Sequence, residues 1–422
     1  MNVIGIIAEY NPFHNGHAYQ IQKIKECTGA DHIVIAMSGD YVQRGAPAII
    51  DKYARARMAL NCGASLVVEL PVLWATASAE AFAMAGVTLF EKTGCVDGIC
   101  FGAETDDLPF LSMLADILVE EPDGYRQELT SLLKKGLSFP AARAEALLAH
   151  LDTVKDGSRD KEAVSSILST PNNILSIEYL KALKRRNSSI IPHLLKREGA
   201  GYHETATAIR KELAAFSQAA SIDTDSAHAP GSSLTDAMPT ASLEVLDHYL
   251  DSRSFLSAND FSSVLGYKLL TSDPAALSSI GDASADIANR LFKNRMQFTS
   301  FTDFCEKNKS KDMTYTRMSR ILLHLILNLT ASDYQHAREL DYIPYLRVLG
   351  FRSDAAPLMK ELKRTALVPI ITKLADAASL LSTDANMILE KDIFAADFYE
   401  QVCAIKKGTT PRSEYTREIV RV

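Results

Sequence analysis

Two histidines, His14 and His17, stand three residues apart in Asn11-Pro12-Phe13-His14-Asn15-Gly16-His17, directly after an apolar run at residues 2–8. Pro12 ends that run, and Gly16 permits a tight turn or a close backbone approach to a ligand. Both imidazoles can therefore reach one anionic group. The helix expected from His17 onward points its free N–H groups to the same place. Adenylyl or phosphoryl transfer needs little covalent help from a protein; it needs an aligned nucleophile and donors aimed at charge building on the phosphate. Two histidines at this spacing also suit a helix cap and an exposed turn. The preceding strand decides for the ligand, because open α/β sheets bind at the carboxyl ends of their strands.

The elements that must position this loop follow from hydrophobic spacing. Short Val/Ile-rich runs at 2–8, 32–37, 66–70 and 98–101 suit strands buried on both faces of a parallel sheet, and helical periodicity fills 17–27, 51–62 and 77–92 between them. The alternation predicts a doubly wound α/β sheet. Helical segments are expected at 108–120, 124–135, 140–150 and 172–183, a strand at 189–195 and a helix at 205–216. Residues 217–240, rich in Ser, Ala, Asp, Thr and Pro, read as a linker or mobile loop. From 241 to 422 the pattern is helical throughout, including 342–349. The expected organisation is an N-terminal catalytic domain, 1–216, able to activate its substrate alone, and an all-helical C-terminal domain, 241–422.

Composition narrows the class. The 422 residues carry a formal charge of −7, which argues against coating nucleic acid by bulk charge. Charge is uneven, however: within 291–320, seven basic residues face three acidic ones. The six cysteines show no paired spacing and read as small apolar residues in a reducing compartment, with no metal site assigned. No leader-like stretch opens the sequence. The longest apolar run, 321–329, is interrupted by His324 and falls short of the ~20 residues of a membrane span. A cytoplasmic protein without a membrane or protein partner is expected.

The motifs EYNPFHNGH, MSGDYVQRG, VELP, FGAE, TPNNIL and KREGAGYHE, with TYTRMSRILLHLILN further on, together resemble the bacterial tRNA(Met) cytidine acetate ligase family of the HxGH nucleotidyltransferase superfamily. The resemblance covers essentially the whole chain. It implies a Rossmann-like nucleotidyltransferase sheet and a ligase that activates acetate with ATP as acetyl adenylate, then acetylates N4 of the wobble cytidine of elongator tRNA(Met). ATP, a substrate, is expected to come with Mg2+.

Carried over by position, the resemblance assigns ATP to Ile7, Ala8, Glu9, Tyr10, Asn11, Pro12, Phe13, His14, Asn15, Gly16, His17, Ala18, Tyr19 and Gln20, with His14 and His17 catalytic. It adds Gly102 in FGAE, Asn172 in TPNNIL and Arg197 in KREG. A side chain at 102 would obstruct a ligand across the sheet edge, Asn172 offers a donor and an acceptor at a helix start, and Arg197 suits a bidentate phosphate contact. Ser38, Gly39, Asp40, Gln43, Arg44 and Lys52 are weaker candidates on the substrate side, with Arg44 or Lys52 suited to the acetate carboxylate. Thr207 and Arg210 resemble the superfamily's second signature, but Thr205-Ala206-Thr207 replaces its consecutive serines. Lys307, Lys309, Lys311, Tyr315 and Arg317 are candidate tRNA contacts. Two alternatives stay open: adenylylation of a phosphate-bearing small molecule, and tRNA binding without catalysis.

Overall fold

A computed structural model describes residues 1–153, 161–197, 206–213, 215, 232–310 and 313–422. Its spine is an eight-stranded sheet. β1 (Val3–Ala8) lies between β2 (His32–Ser38) and β6 (Gly98–Ala103), β5 (Leu66–Leu70) follows outside β2, and β7 (Ile191–Lys196) lies outside β6. These five strands are parallel; β1 meets β2 from Val3 opposite His32 to Ala8 opposite Met37. Beyond β2, β3 (Tyr41–Val42) and β4 (Ala46–Pro47) make a small antiparallel hairpin. The chain leaves β1 with one neighbour leading each way, which opens a crevice at its carboxyl end.

Alternate residues of β2 enter opposite cores. Ile33, Ile35 and Met37 join Ile4, Ile6 and Leu60 on one face, while Val34 and Ala36 join Val68, Trp74 and Phe90 on the other. Burial on both faces explains why these strands read as continuous apolar runs. Helix Ala79–Thr93 lies close against β1 because Gly86 lacks a Cβ: one built there would overlap Ile7 Cδ1. The expected helices at 17–27, 51–62, 77–92, 108–120, 124–135, 140–150 and 172–183 are all present within a few residues.

The second half departs from the expected all-helical domain. β8 (Leu346–Phe351) pairs antiparallel with β5, and β9 (Ile370–Ile371) and β10 (Val420–Arg421) flank β8 in parallel. The three- and four-residue spacing within 342–349 suggests a helix. Pro344 breaks that helix, and beyond it Arg347 is buried between Leu346 and Val348, which interrupts the continuous apolar run by which the other strands are recognised. Residues 217–231 of the expected linker lie outside the described residues. From 232 the chain is helical: Ser232–Ala237 buries Leu234, Met238 follows it into the same core, and Thr240–Ser252 begins directly after.

Candidate active site

The loop after β1 is held by its own histidines. Tyr10 turns the chain with a left-handed φ of 48°, and His14 then caps helix Asn15–Thr28. Gly16 N–H donates to His14 Nδ1 at 3.1 Å, while His14 N–H donates to His17 Nδ1 at 3.2 Å. Since both Nδ1 atoms accept, the neutral rings carry their protons on Nε2. The two rings stack, with centroids 3.7 Å apart and 24° between planes. Tyr10 sets its ring edge-on to His17 at 4.7 Å, and Phe13 lies at 5.4 Å. A pair of Nε2–H donors is thereby oriented at a helix N-terminus, where backbone N–H groups and the helix dipole also favour negative charge.

Behind the loop lies Arg55, a fully buried cation on helix Lys52–Asn61. Its guanidinium donates to the carbonyls of Glu9 at 2.7 Å, Ser38 at 3.1 Å and Ile50 at 3.1 Å, and to that of Gly39. One side chain thus ties together the carboxyl ends of β1 and β2. Asn11 Oδ1 accepts from Ile49 N–H at 2.8 Å, and its carbonyl accepts from Arg210 Nη1 at 2.8 Å. Burial, aided by nearby Arg44, lowers the Arg210 pKa, a setting that an anionic ligand would relieve.

The wall beyond β6 comes from three separated segments. Gly102 faces Leu195 across the β6–β7 ladder, and a Cβ there would stand 3.3 Å from Arg197 Cγ. Asn172 Nδ2 donates to Glu104 Oε1 at 2.6 Å, Glu104 Oε2 accepts from Asn173 N–H at 3.0 Å, and Asn173 Oδ1 accepts in return from Glu104 N–H at 3.0 Å. FGAE and TPNN are therefore locked together at the start of helix Pro171–Arg185. Arg197 N–H donates to Ala103 O at 2.8 Å, continuing the ladder past the strand end.

These walls enclose a cavity of about 1140 Å3 lined by His14, His17, Gly102, Asn172, Arg197 and Arg210. Its remaining side comes from the second half of the chain, through residues 255–258, Thr314, Thr316 and Lys406. The volume exceeds the usual range for a single small ligand.

A family model described as HIGH Nucleotidyl Transferase matches residues 1–414. A tRNA(Met) cytidine acetate ligase of Thermoanaerobacter sp. (strain X514) is 40% identical over all of both chains, and that of Acetivibrio thermocellus is 36% identical, again over all of both. The crystal structure of Thermotoga maritima TmcAL bound with alpha-thio ATP superposes with a TM-score of 0.90 at 29% identity, covering both chains completely. The chain belongs to the tRNA(Met) cytidine acetate ligase family.

Within that family frame, most residues expected to meet ATP come together. Ile7 to Asn11, His14, Gly16, His17, Tyr19, Gln20, Gly102, Asn172 and Arg197 line the one cavity, whereas Pro12, Phe13, Asn15 and Ala18 support the loop without facing it. Gln43 and Arg44 line it too, on the hairpin between β3 and β4. Lys52 does not. It is buried behind the site, 2.7 Å from Glu69, 2.7 Å from Glu414 and 3.8 Å from Asp40, so it cannot receive a carboxylate substrate. Burial pushes Asp40 up to about 7, against the pull of Lys52.

The candidate tRNA contacts lie on the second half. Lys307 pairs with Asp303 at 2.7 Å and Lys309 with Glu306, both on helix Phe301–Asn308 or at its end; Arg317 reaches the Asp282 carbonyl at 3.4 Å, and Tyr315 opens helix Tyr315–Leu327 beside the cavity-lining threonines. Lys311 lies outside the described residues. Arg55 and the 255–258 wall escape the sequence reading; the available signal for Arg55 is a basic residue on the otherwise apolar face of its helix, beside Met58 and Ala59.

Proposed function

We propose that this chain activates acetate with ATP and passes the acetyl group to N4 of the wobble cytidine of elongator tRNA(Met). An acetate oxygen attacks the α-phosphorus, pyrophosphate leaves, and acetyl adenylate remains; the cytidine amine then attacks the acetyl carbon and AMP departs. The observation that carries this reading is the orientation of His14 and His17: both Nδ1 atoms accept from backbone N–H groups, which makes Nε2 the donor atom each ring can turn to phosphate charge. Arg197 and Arg210 supply further cations on the same cavity. The wall from the second half gives room for an acceptor beside the nucleotide, and the ligase names of the full-length relatives agree.

Magnesium would accompany ATP on its phosphates. Among the described residues no three His, Cys, Asp or Glu side chains gather into a metal cage, so no step is assigned through the ion. Transfer RNA would approach along the second half, past Lys307, Lys309, Lys311, Tyr315 and Arg317, with 1–216 supplying most of the nucleotide wall. Among the described residues no helix is long and apolar enough to cross a membrane, and a tRNA substrate fits the cytoplasm.

The test is pyrophosphate release from ATP with acetate and with larger carboxylates, each with and without tRNA. Acetate-dependent release that needs no tRNA is expected; release only in the presence of a phosphate-bearing small molecule would instead favour an adenylyltransferase.

A further inference from the structure

Glu9 is the only carboxylate among the described residues that line the cavity, which it shares with Arg44, Arg197, Arg210 and the two histidines. Such a wall is suited to a triphosphate and a carboxylate substrate. An ionised Glu beside them works against binding both, by like-charge repulsion across a partly desolvated site. The residue is nevertheless held firmly in place. Its backbone carbonyl accepts from Arg55 at 2.7 Å, and its Oε1 accepts from Gln43 N–H at 2.9 Å. Among the described residues its Oε2 has no hydrogen-bond partner. A half-buried carboxylate with one oxygen anchored and the other open to the cavity is built to accept a proton or a hydrogen bond from a ligand.

The ribose hydroxyls and the adenine amine of ATP also carry donors, but they keep their protons throughout the reaction proposed above, and one ligand group does not. Acetate and the phosphates are themselves acceptors, whereas the cytidine N4 amine carries two N–H bonds and must lose one proton when it is acylated. We infer that Glu9 is the catalytic base for acetyl transfer, receiving a proton from the N4 amine, and this rests on the acetylation reading. As N4 forms its bond to the acetyl carbon, the carbon–oxygen bond to AMP breaks, the electron pair leaves with the AMP phosphate, and the N4 proton passes to Glu9 Oε2. The protonated carboxyl then returns that proton to solvent. Glu9 directly follows β1 and precedes the turn at Tyr10 that leads to His14 and His17, so the base and the phosphate donors are presented from one strand end.

The test separates the two half-reactions. Acetyl adenylate formation is followed as acetate-dependent pyrophosphate release and by trapping with hydroxylamine, whose own basicity makes a protein base unnecessary. Acetyl transfer is followed on tRNA(Met). In Glu9→Gln, Oε1 still accepts from Gln43 but the base is gone. Transfer to tRNA is expected to fall on the order of 100-fold or more relative to hydroxamate formation, the usual worth of a general base. Glu9→Asp should recover part of that ratio. Equal loss in both half-reactions would assign Glu9 to the nucleotide step and overturn the proposal; so would no change in the ratio. A parent protein that shows no acetate-dependent pyrophosphate release would instead refute the acetate reading itself.

Discussion

His14 and His17 are bound to the same short stretch of backbone through the same ring atom: Nδ1 of His14 accepts from Gly16 N–H, and Nδ1 of His17 accepts from His14 N–H. The helix cap and the proposed catalytic pair are one arrangement. Asparagine can reproduce the cap, because its Oδ1 lies close to where Nδ1 lay, but it cannot reproduce the Nε2 donor. His14→Asn and His17→Asn are therefore expected to keep the parental stability to within about 1 kcal/mol in denaturant unfolding. Acetate-dependent pyrophosphate release should fall roughly 100- to 1000-fold, the worth of one donor to developing charge. Near-parental release from either variant would remove that histidine from the chemistry.

A second relationship joins Gly102 to Arg197. A Cβ at position 102 would meet Arg197 Cγ at 3.3 Å, so Gly102→Ala displaces the arginine stem slightly without needing a new backbone conformation. ATP affinity is expected to weaken by about 10-fold, near 1.4 kcal/mol. Arg197→Ala should cost more, and Arg197→Lys should recover only part, since an ammonium cannot reproduce a guanidinium fork. If glycine acts through the arginine, the double variant binds ATP no more weakly than Arg197→Ala alone. Additive losses in calorimetric titrations would give Gly102 a contact of its own with the nucleotide.

What the sequence reveals and what it hides have separate physical causes. Strand β1, the helices flanking it and the loop between them are local features: an apolar run, a proline stop, a cap and a 3.6-residue period. The joining of FGAE to TPNN through Glu104, Asn172 and Asn173 is visible only as two motifs far apart, because the hydrogen bonds span 68 and 69 positions of chain. Lys52 reads as a substrate contact on its type alone; its partners Glu69 and Glu414 come from β5 and from the C-terminal segment. β8 stays hidden because the buried Arg347 interrupts its apolar run, and Tyr342, Tyr345 and Leu349 are left at a helix-like spacing.

Those long-range contacts change what truncation should do. Sequence patterning alone points to a first half that activates acetate by itself, yet β8 pairs with β5, and Glu414 neutralises Lys52 inside the core. Removing residues 241–422 exposes an edge of the sheet and leaves Lys52 with one carboxylate fewer. The truncated protein is expected to lose pyrophosphate release together with tRNA acetylation and to show weak amide-exchange protection in β5. Retained acetate-dependent release would restore the independent catalytic half.

Glu414 also sets an acid limit. Despite its burial, Lys52 and Arg347 hold its carboxyl at about 2, below the ordinary 4.5. A carboxylate depressed on folding contributes stability that is present above 4.5 and is lost as pH falls toward 2. Replacing it with Gln should cost about 3 kcal/mol near neutral pH, because two buried cations lose a partner. Below 4.5 the gap between the variant and the parent should narrow, since the parent is then losing the same contribution. Asp40 runs the other way: raised from 3.8 to about 7 by burial, it favours the folded state in its protonated form, and that benefit is lost as pH rises through 7. Denaturant unfolding across this range measures both signs, and a gap that does not change with pH would show that Glu414 is not the ionised partner.

The last expectation concerns RNA. Lys307 and Lys309 already have acidic neighbours, Asp303 and Glu306, so each is a paired cation that can exchange its carboxylate for a phosphate only at the cost of that pair. Exposed pairs of this kind are worth little, about 0.2 to 1 kcal/mol, whereas a phosphate contact releases a counterion from the nucleic acid. Exchange is therefore favourable at low salt and fades as salt rises. Charge reversal of Lys307, Lys309 and Lys311 together should weaken tRNA binding and reduce the slope of log affinity against log salt by roughly 0.7 to 0.9 for every phosphate no longer neutralised. Acetyl adenylate formation should stay at the parental rate, since Lys307 and Lys309 do not line the cavity. A salt titration of both proteins decides: equal slopes would take this stretch off the RNA path and turn attention to the basic residues nearer the wall that Thr314, Thr316 and Lys406 contribute.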